Sequence, residues 1–420
     1  MSFADAYLEK ISLDPSLDIQ APSKDLSMVV AIPACNEPDI LKTLSSLLHC
    51  ERPHGEVEII ILINDAETAT ADVRSQNLLT KKEVLAYACT HHEKGFRMLV
   101  SHVPGLPQRV AGAGLARKMA MDHALSRFNH LNRTGGIILS LDADTICEEN
   151  YLIEVARQFR DYPDTKACNI RYEHPLEGST FPESVYNGII QYELHLRYYI
   201  QALRFAGHPH AYHTVGSAFG VRADIYAAQG GMNKRKAGED FYFLQKIIPL
   251  GGFYEINATK VIPSPRPSDR VGFGTGPVIS KFLRGETTVL QTYHPDVFYD
   301  LKDFLSTVPS LFNAGQQSLQ KLLKDYPPAV RENLSHEFIS RILEIRGNSA
   351  REFTFINRFY RWFNMFRTLK YINYAQQHHY PRMPVLDAAR EFISGTDPGF
   401  QGIVDTKELL LYLREIQKRN

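Results

Sequence analysis

The sequence predicts an α/β fold: a mostly parallel central sheet flanked by helices, continued by an all-helical C-terminal region. Three observations carry this. Apolar runs short enough for buried strands alternate with helical periods along the first part of the chain. The run Ile137-Ile138-Leu139-Ser140-Leu141, preceded by the breaker pair Gly135-Gly136, reads as a central parallel strand that delivers Asp142-Ala143-Asp144 into open space. From about residue 300 the pattern is wholly helical, with no further strand-like run.

The elements follow in order. Met28 to Ile32 is the first strand, and Asn36-Glu37-Pro38-Asp39 opens a helix with Leu41, Leu44, Leu47 and Leu48 on one face. Val57 to Ile63 is the second strand, ending at Asn64-Asp65, and Met98 to Val103 is the third. Residues 115 to 128 repeat the helical period before the fourth strand. A long helix covers residues 183 to 205, Gly216 to Gly220 and Gly230-Gly231-Met232 flank a helical turn, and Gly238-Glu239-Asp240 starts a helix running to Leu250. The alternation predicts right-handed β-α-β units. Residues 1–26 are expected to be an N-terminal extension, 27–290 one domain, and 291–420 the helical region.

Composition narrows the function. At 420 residues, 44% hydrophobic and 22% charged, the chain is an ordinary globular protein with one large core or two modest ones. Lys and Arg (47) balance Asp and Glu (47), which leaves no basic field for nucleic acid. The five cysteines are scattered and lack a C-x-x-C pair, arguing against a disulfide framework or a zinc cage and for a reducing, cytoplasmic setting. No signal peptide opens the chain, and no stretch reaches the ~20 apolar residues of a spanning helix, so any membrane contact is expected to be peripheral.

Asp142 and Asp144 stand where open α/β sheets collect ligands, outside the carboxyl end of a strand. Mg²⁺ or Mn²⁺ prefers such carboxylates and keeps positions free for phosphate oxygens. The alternative is that the triplet only precedes a helix opened by Glu148, Glu149 and Asn150.

Five motifs stand in order: Ile32-Pro33-Ala34-Cys35-Asn36-Glu37, Asn64-Asp65, Gly112-Ala113-Gly114-Leu115-Ala116-Arg117, Asp142-Ala143-Asp144 and Gly238-Glu239-Asp240. Together they resemble the family 2 glycosyltransferases from residue 27 to about 262. The resemblance implies the GT-A fold, a nucleotide diphosphate sugar donor, and a divalent metal, Mn²⁺ or Mg²⁺. The acceptor would be a hydroxyl on a small molecule, a glycan or a lipid-linked group. By the same resemblance Pro33, Asn36 and Glu37 hold base and ribose, Asp65 reads the base, Asp142 and Asp144 address the nucleotide sugar and metal, and Asp240 is the general base. Two departures stand out: Asn64-Asp65-Ala66 occurs where the family often has a second Asp and a Gly, and the Gln-x-x-Arg-Trp motif of many polymer-extending members is missing.

The residues admit other roles. Asn36 can cap a helix and Glu37 stabilise its first turn. Gly112 and Gly114 lack the third glycine of a dinucleotide fingerprint, yet expose amides at a helix start where a diphosphate can bind, with Arg117 and Lys118 nearby and one of them free to cover the surface. Glu239-Asp240 also suits a helix N-terminus, and Glu239 is the alternative base. Gly216, Ser217, Arg266 and Arg270 are candidates for an acceptor loop or lid; the two arginines of the Pro- and Gly-rich segment 264–276 either close on phosphate or tie a loop to the surface. His208, His210 and His213 suggest polar contacts or surface exposure before zinc, and His294 is a third metal ligand only by position. Phe355, Phe359, Trp362, Phe363, Phe366 and Leu369 with five interleaved basic residues form a stripe at helical spacing, expected to be core rather than a membrane face. An inverting sugar transferase is the favoured function. A non-catalytic nucleotide-sugar-binding protein and a sugar-nucleotide pyrophosphorylase are the alternatives.

Overall fold

The computed structural model describes residues 2–13, 17, 20–91, 95–235, 238–268, 272, 274–334 and 337–419. Packing divides the chain into two units, Met1–Pro175 with Thr214–Pro277, and Leu176–His213 with Val278–Asn420. This division differs from a linear boundary near residue 290, because packing rather than chain order assigns the helix Glu183–Phe205. That helix sets Tyr198 edge-on against Phe298 and Phe392, with ring centroids 5.7 and 5.6 Å apart, and pairs Glu193 with Arg414 at 2.7 Å.

The first unit is built on β1 (Leu26–Ala34), β2 (Glu56–Ala66), β3 (Phe96–Leu106), β4 (Ile137–Ser140), β5 (Thr145–Cys147), β6 (Ala167–Tyr172), β7 (Phe219–Arg222) and β8 (Phe253–Pro263). They form one sheet in the spatial order β3-β2-β1-β4-β7-β6-β8-β5. The four strands β3, β2, β1 and β4 pair in parallel, as do β6 and β8; β7 runs against both its neighbours and β5 against β8. The sheet is mostly parallel, as predicted. Val29 to Ile32 and Ile59 to Ile63 are wholly buried, which is why these strands read as unbroken aliphatic runs.

Helices in chain order are α1 (Asp5–Leu8), α2 (Ile40–Leu48), α3 (Ala71–Thr90), α4 (Ala113–His130), α5 (Tyr151–Asp161), α6 (Glu183–Phe205), α7 (Ala223–Ala228) and α8 (Glu239–Ile247). The sequence gives no sign of α3, because it buries Asn77, Thr80 and Val84 while exposing Leu78, Leu79 and Leu85, the reverse of an apolar stripe. Strands β6 to β8 also escape prediction, since polar Asn169 and Arg171 lie buried inside β6.

Register determines what meets at the sheet's working edge. Ala31 of β1 pairs with Ser140 of β4, and Ser140 pairs with Phe219 of the antiparallel β7. The carboxyl ends of β1 and β4 therefore share one edge with the amino end of β7. Thr145 pairs with Pro263, so the chain leaving β8 passes beside Asp144.

Among the described residues the second unit is helical apart from Gln291–Thr292 and Met383–Pro384, a two-residue antiparallel pair that corrects the expectation of no strand beyond residue 300. Residues 351 to 374 are not one helix: Glu352–Trp362 ends, and Asn364 caps Met365–His378 by accepting the Phe366 and Arg367 N–H groups. Phe355, Phe359, Trp362 and Phe363 are buried as expected for core, while Phe366 and Leu369 are half-buried and Arg351, Arg358, Arg361, Arg367 and Lys370 are exposed. His208 and His213 are buried, so of the two expectations surface exposure fails for both, while His208 makes the polar contact. The His210 N–H donates to His208 Nδ1 at 3.2 Å, which leaves the ring proton on Nε2 and removes that nitrogen as a metal ligand. Burial, with His210 nearby, pushes His208 down to about 3, so the ring stays neutral.

Candidate active site

Arg117 is the centre of the site. It projects from the first turns of α4 and is almost wholly buried. Its Nε donates to Glu239 Oε1 (3.1 Å), Nη1 to Ser140 Oγ (2.6 Å) and to the Gly216 carbonyl (2.8 Å), and Nη2 to Asp142 Oδ1 (2.8 Å). Burial opposes its charge, but Asp142, Glu239 and Asp240 outweigh that cost and raise its pKa further. The side chain expected to touch the donor is thus committed to the protein, tying the loop after β4, the loop before β7 and the start of α8 into one network. Lys118, the other cation considered for the surface, is also inside, donating to Tyr7 Oη and Asp122 Oδ2 at 2.7 Å each.

Two glycines are required by close approach. A Cβ on Gly114 would fall 2.0 Å from the Arg235 carbonyl oxygen, so α4 begins hard against the loop that leads into α8. A Cβ on Gly216 would lie 2.8 Å from Arg117 Nη2 and 3.2 Å from Asp240 Oδ2. Gly216 and Ser217, expected in an acceptor loop or lid, belong to this packed layer; Ser217 is 1% exposed.

Asp240 sits half-buried in the first turn of α8, where Oδ1 accepts the Phe241 N–H at 2.7 Å. Burial pushes its carboxyl up to about 7, and the charge of Glu239 adds to this while Arg117 opposes it. Glu239 is 5% exposed and bound to Arg117, whereas among the described residues Asp240 makes no ion pair, its Oδ1 accepting only the Phe241 N–H.

At the nucleotide end, Asn36 adopts a left-handed backbone (φ 51°) and its N–H donates to Asn77 Oδ1 at 2.7 Å. Its conformation serves the turn; Asp39, not Asn36, precedes α2. Pro33 and Ala34 are the last residues of β1. Glu37 does not stabilise the first turn of α2: its carboxylate takes a two-pronged ion pair from Arg266, with Nη1 to Oε1 at 2.9 Å, and Arg266 Nη2 lies 3.5 Å from Asp144 Oδ2. Asp65 is 2% exposed and accepts from Asn77 Nδ2, His102 Nε2 and the Gly105 N–H, each at 3.0 Å. Burial works against its charge, but these donors prevail and hold its carboxyl below the usual range. Asn77, His102 and Ser140 escaped the sequence reading, since nothing in their local pattern marks them; Asn77 lies on the helix that the pattern hides. Arg270 lies outside the described residues.

The donor set suits a hard divalent ion that keeps several waters. Asp142 and Asp144 side chains are 38% and 25% exposed at a strand end, and such an ion needs only one or two carboxylates besides phosphate oxygens. Among the described residues no group of three His, Cys, Asp or Glu side chains forms a closed metal cage. His294, in the second unit, instead accepts the Asp296 N–H on Nδ1 at 3.2 Å and stacks on Tyr380.

The sheet edge thus brings Asp142 and Asp144, at the end of β4, into one hydrogen-bonded layer with the start of α8, where Asp240 lies. Residues 29–228, just under half of the chain, match the family described as Glycosyl transferase family 2. Over those residues the chain carries a domain that matches this family. No curated protein is a significant match. Similar solved structures include S. aureus TarS 1-349 in complex with UDP (13% identity, covering 86% of this chain and 95% of that one, TM-score 0.39). Another is mannosyltransferase PcManGT from Pyrobaculum calidifontis in complex with GDP-Man and Mn²⁺ (14%, 99% and 92%, TM-score 0.34). A third is glucosyl-3-phosphoglycerate synthase from Mycobacterium tuberculosis with Mn²⁺, UDP-Glc and phosphoglyceric acid (16%, 61% and 79%, TM-score 0.33). Among the described residues no helix is long and apolar enough to cross a membrane.

Proposed function

We propose that the chain catalyses inverting transfer of a sugar from a nucleotide diphosphate sugar to a hydroxyl acceptor, with Asp240 as general base. One arrangement carries this: Arg117 binds both Asp142 and Glu239, which fixes half-buried Asp240 in the first turn of α8 near the aspartate at the end of β4, and burial pushes its carboxyl up to about 7. A base whose pKa lies near the working pH is efficient and available. The acceptor hydroxyl gives its proton to Asp240 while its oxygen bonds to the anomeric carbon. The bond from that carbon to the diphosphate oxygen breaks, and its electron pair leaves with the nucleoside diphosphate. Attack opposite the leaving group inverts the anomeric centre without a covalent glycosyl intermediate.

In this reading Pro33, Asn36, Glu37 and Asp65 form the base and ribose end, and Asp142 and Asp144 would hold Mn²⁺ or Mg²⁺, which when bound supplies positive charge for the diphosphate. Arg117 is a positioning residue, keeping Asp142 and α8 in fixed relation. The acceptor is a hydroxyl on a small molecule, a glycan or a lipid-linked group. All five cysteines are thiols, which supports a reducing, cytoplasmic setting. Incubation with a panel of nucleotide sugars and Mn²⁺, following nucleoside diphosphate release, tests the reading. Release dependent on one donor and on Asp240 is the expected result. Tight donor binding without turnover across acceptors would identify a binding protein, and pyrophosphate-dependent formation of a nucleoside triphosphate a pyrophosphorylase.

A further inference from the structure

The two arginines of the site differ in a way that separates their roles. Arg117 is enclosed, its side chain 4% exposed, and four protein partners surround it. Arg266 is 23% exposed at the side chain and reaches the site from the Pro-rich segment that follows β8. It pairs with the carboxylates assigned above to ribose and to metal: Glu37, gripped by both guanidinium nitrogens, and Asp144, 3.5 Å away. Burial opposes the Arg266 charge, but Glu37 and then Asp144 and Asp39 raise its pKa. Arg266 thus sits among several carboxylates at the place where the donor's own charges must enter.

We propose that Arg266 is the resident counter-ion of the donor site, exchanged when donor binds. It neutralises Glu37 and Asp144 while the site is empty. On binding it yields Glu37 to the ribose hydroxyls and Asp144 to the divalent ion, and its planar fork passes to the diphosphate, whose geometry it matches as well as it matches a carboxylate. The order of charges favours an exchange: a site holding Glu37 and Asp144 uncompensated would repel a diphosphate, and one permanently locked by Arg266 would leave Glu37 only about two of its four lone pairs for ribose and keep the guanidinium from the diphosphate. Solvent access to Arg266, unlike Arg117, lets the swap proceed without opening the packed layer beneath. This inference rests on the donor site proposed above.

The test uses the full chain, unmodified and as Arg266→Gln and Arg266→Lys, in calorimetric titrations with MnCl₂ alone and with each of UDP, GDP, ADP, CDP and dTDP in excess Mn²⁺. Counter-ion exchange predicts opposite signs in Arg266→Gln. Mn²⁺ alone binds about tenfold more tightly, because a competing cation has gone, while the nucleoside diphosphate binds about tenfold more weakly, having lost its fork. Arg266→Lys keeps the charge, so Mn²⁺ affinity stays near that of the unmodified chain while nucleotide affinity is intermediate. Unchanged or weakened Mn²⁺ binding in Arg266→Gln, or no Mn²⁺ binding by any of the three proteins, overturns the exchange and leaves Arg266 a structural tie. If Arg266→Gln does not fold, an Arg266→Lys protein with unmodified nucleotide affinity overturns it as well. Failure of the unmodified chain to bind any of UDP, GDP, ADP, CDP and dTDP, with the Mn²⁺ shift present, would instead refute the donor-site reading and keep the counter-ion.

Discussion

Arg117 binds Asp142 through Nη2 at 2.8 Å, and the contact joins the donor end of the site to the helix that bears Asp240. Through the same guanidinium Glu239 is held at 3.1 Å, so the acidic pair at the start of α8 divides its labour: Glu239 anchors and Asp240 stays available. Arg117→Lys keeps the charge but loses the fork. Because a buried carboxylate then lacks its partner, folding stability is expected to fall by about 3 kcal/mol, the scale for breaking one buried pair. Urea unfolding of the two proteins checks this; a change under about 0.5 kcal/mol would mean the network is not a structural hub.

Nucleoside diphosphate affinity is expected to depend on a divalent ion held partly by Asp144. Diphosphate and carboxylate are both anions and need a cation between them. Calorimetry in excess chelator, and on Asp144→Ala with Mn²⁺ present, should show clear weakening in both cases. Unchanged affinity in either removes the metal bridge.

Stability should carry the signature of Asp240. Its carboxyl, pushed up from 3.8 to about 7, keeps its proton to higher pH folded than unfolded. The stability tied to that proton is complete below about pH 4 and lost as pH rises through about 7. Asp240→Asn is neutral throughout, so relative to the unmodified chain it gains stability between about pH 5 and about pH 8. Melting curves at both ends of that window test the sign. The sugar-transfer rate of the unmodified chain should rise over the same window and level off above it.

Much of this site was legible from the sequence, and the reason is local. Pro33 to Glu37, Asp142 to Asp144 and Gly238 to Asp240 each follow directly from a strand end or open a helix, so chain order alone places them. What was hidden depends on contacts far apart in sequence. Arg117 reads as a surface or phosphate cation until β4, β7 and α8 close on it. Asn77 and His102, the partners that position Asp65, were hidden as well, and Asn77 belongs to a helix whose buried face is polar. The broken helix near Asn364 was missed for the opposite reason: the aromatic spacing continues across the break.

Phe359 is wholly buried and packs against Phe304, Trp362 and Phe363. Phe359→Ala should therefore cost about 3–5 kcal/mol, the range for emptying an aromatic site in a core. Vesicle flotation gives the complementary readout, with no strong salt-sensitive recruitment of the unmodified chain to anionic vesicles expected. Recruitment lost on charge reversal of Arg358 and Arg361 would show that the exposed basic face, not the buried stripe, decides this segment's role.

The central claim is that Asp240 takes the acceptor proton, and one comparison tests it most directly: sugar transfer by Asp240→Asn beside the unmodified chain, with nucleotide affinity and melting measured on the same preparation. Asn preserves the shape but cannot accept the proton. Turnover is expected to fall about 10²-fold or more, while donor affinity and fold persist because Asp142 and Asp144 are untouched. Transfer at the unmodified rate would contradict the account and turn attention to Glu239; lost donor affinity or early melting would make Asp240 a binding or structural residue instead.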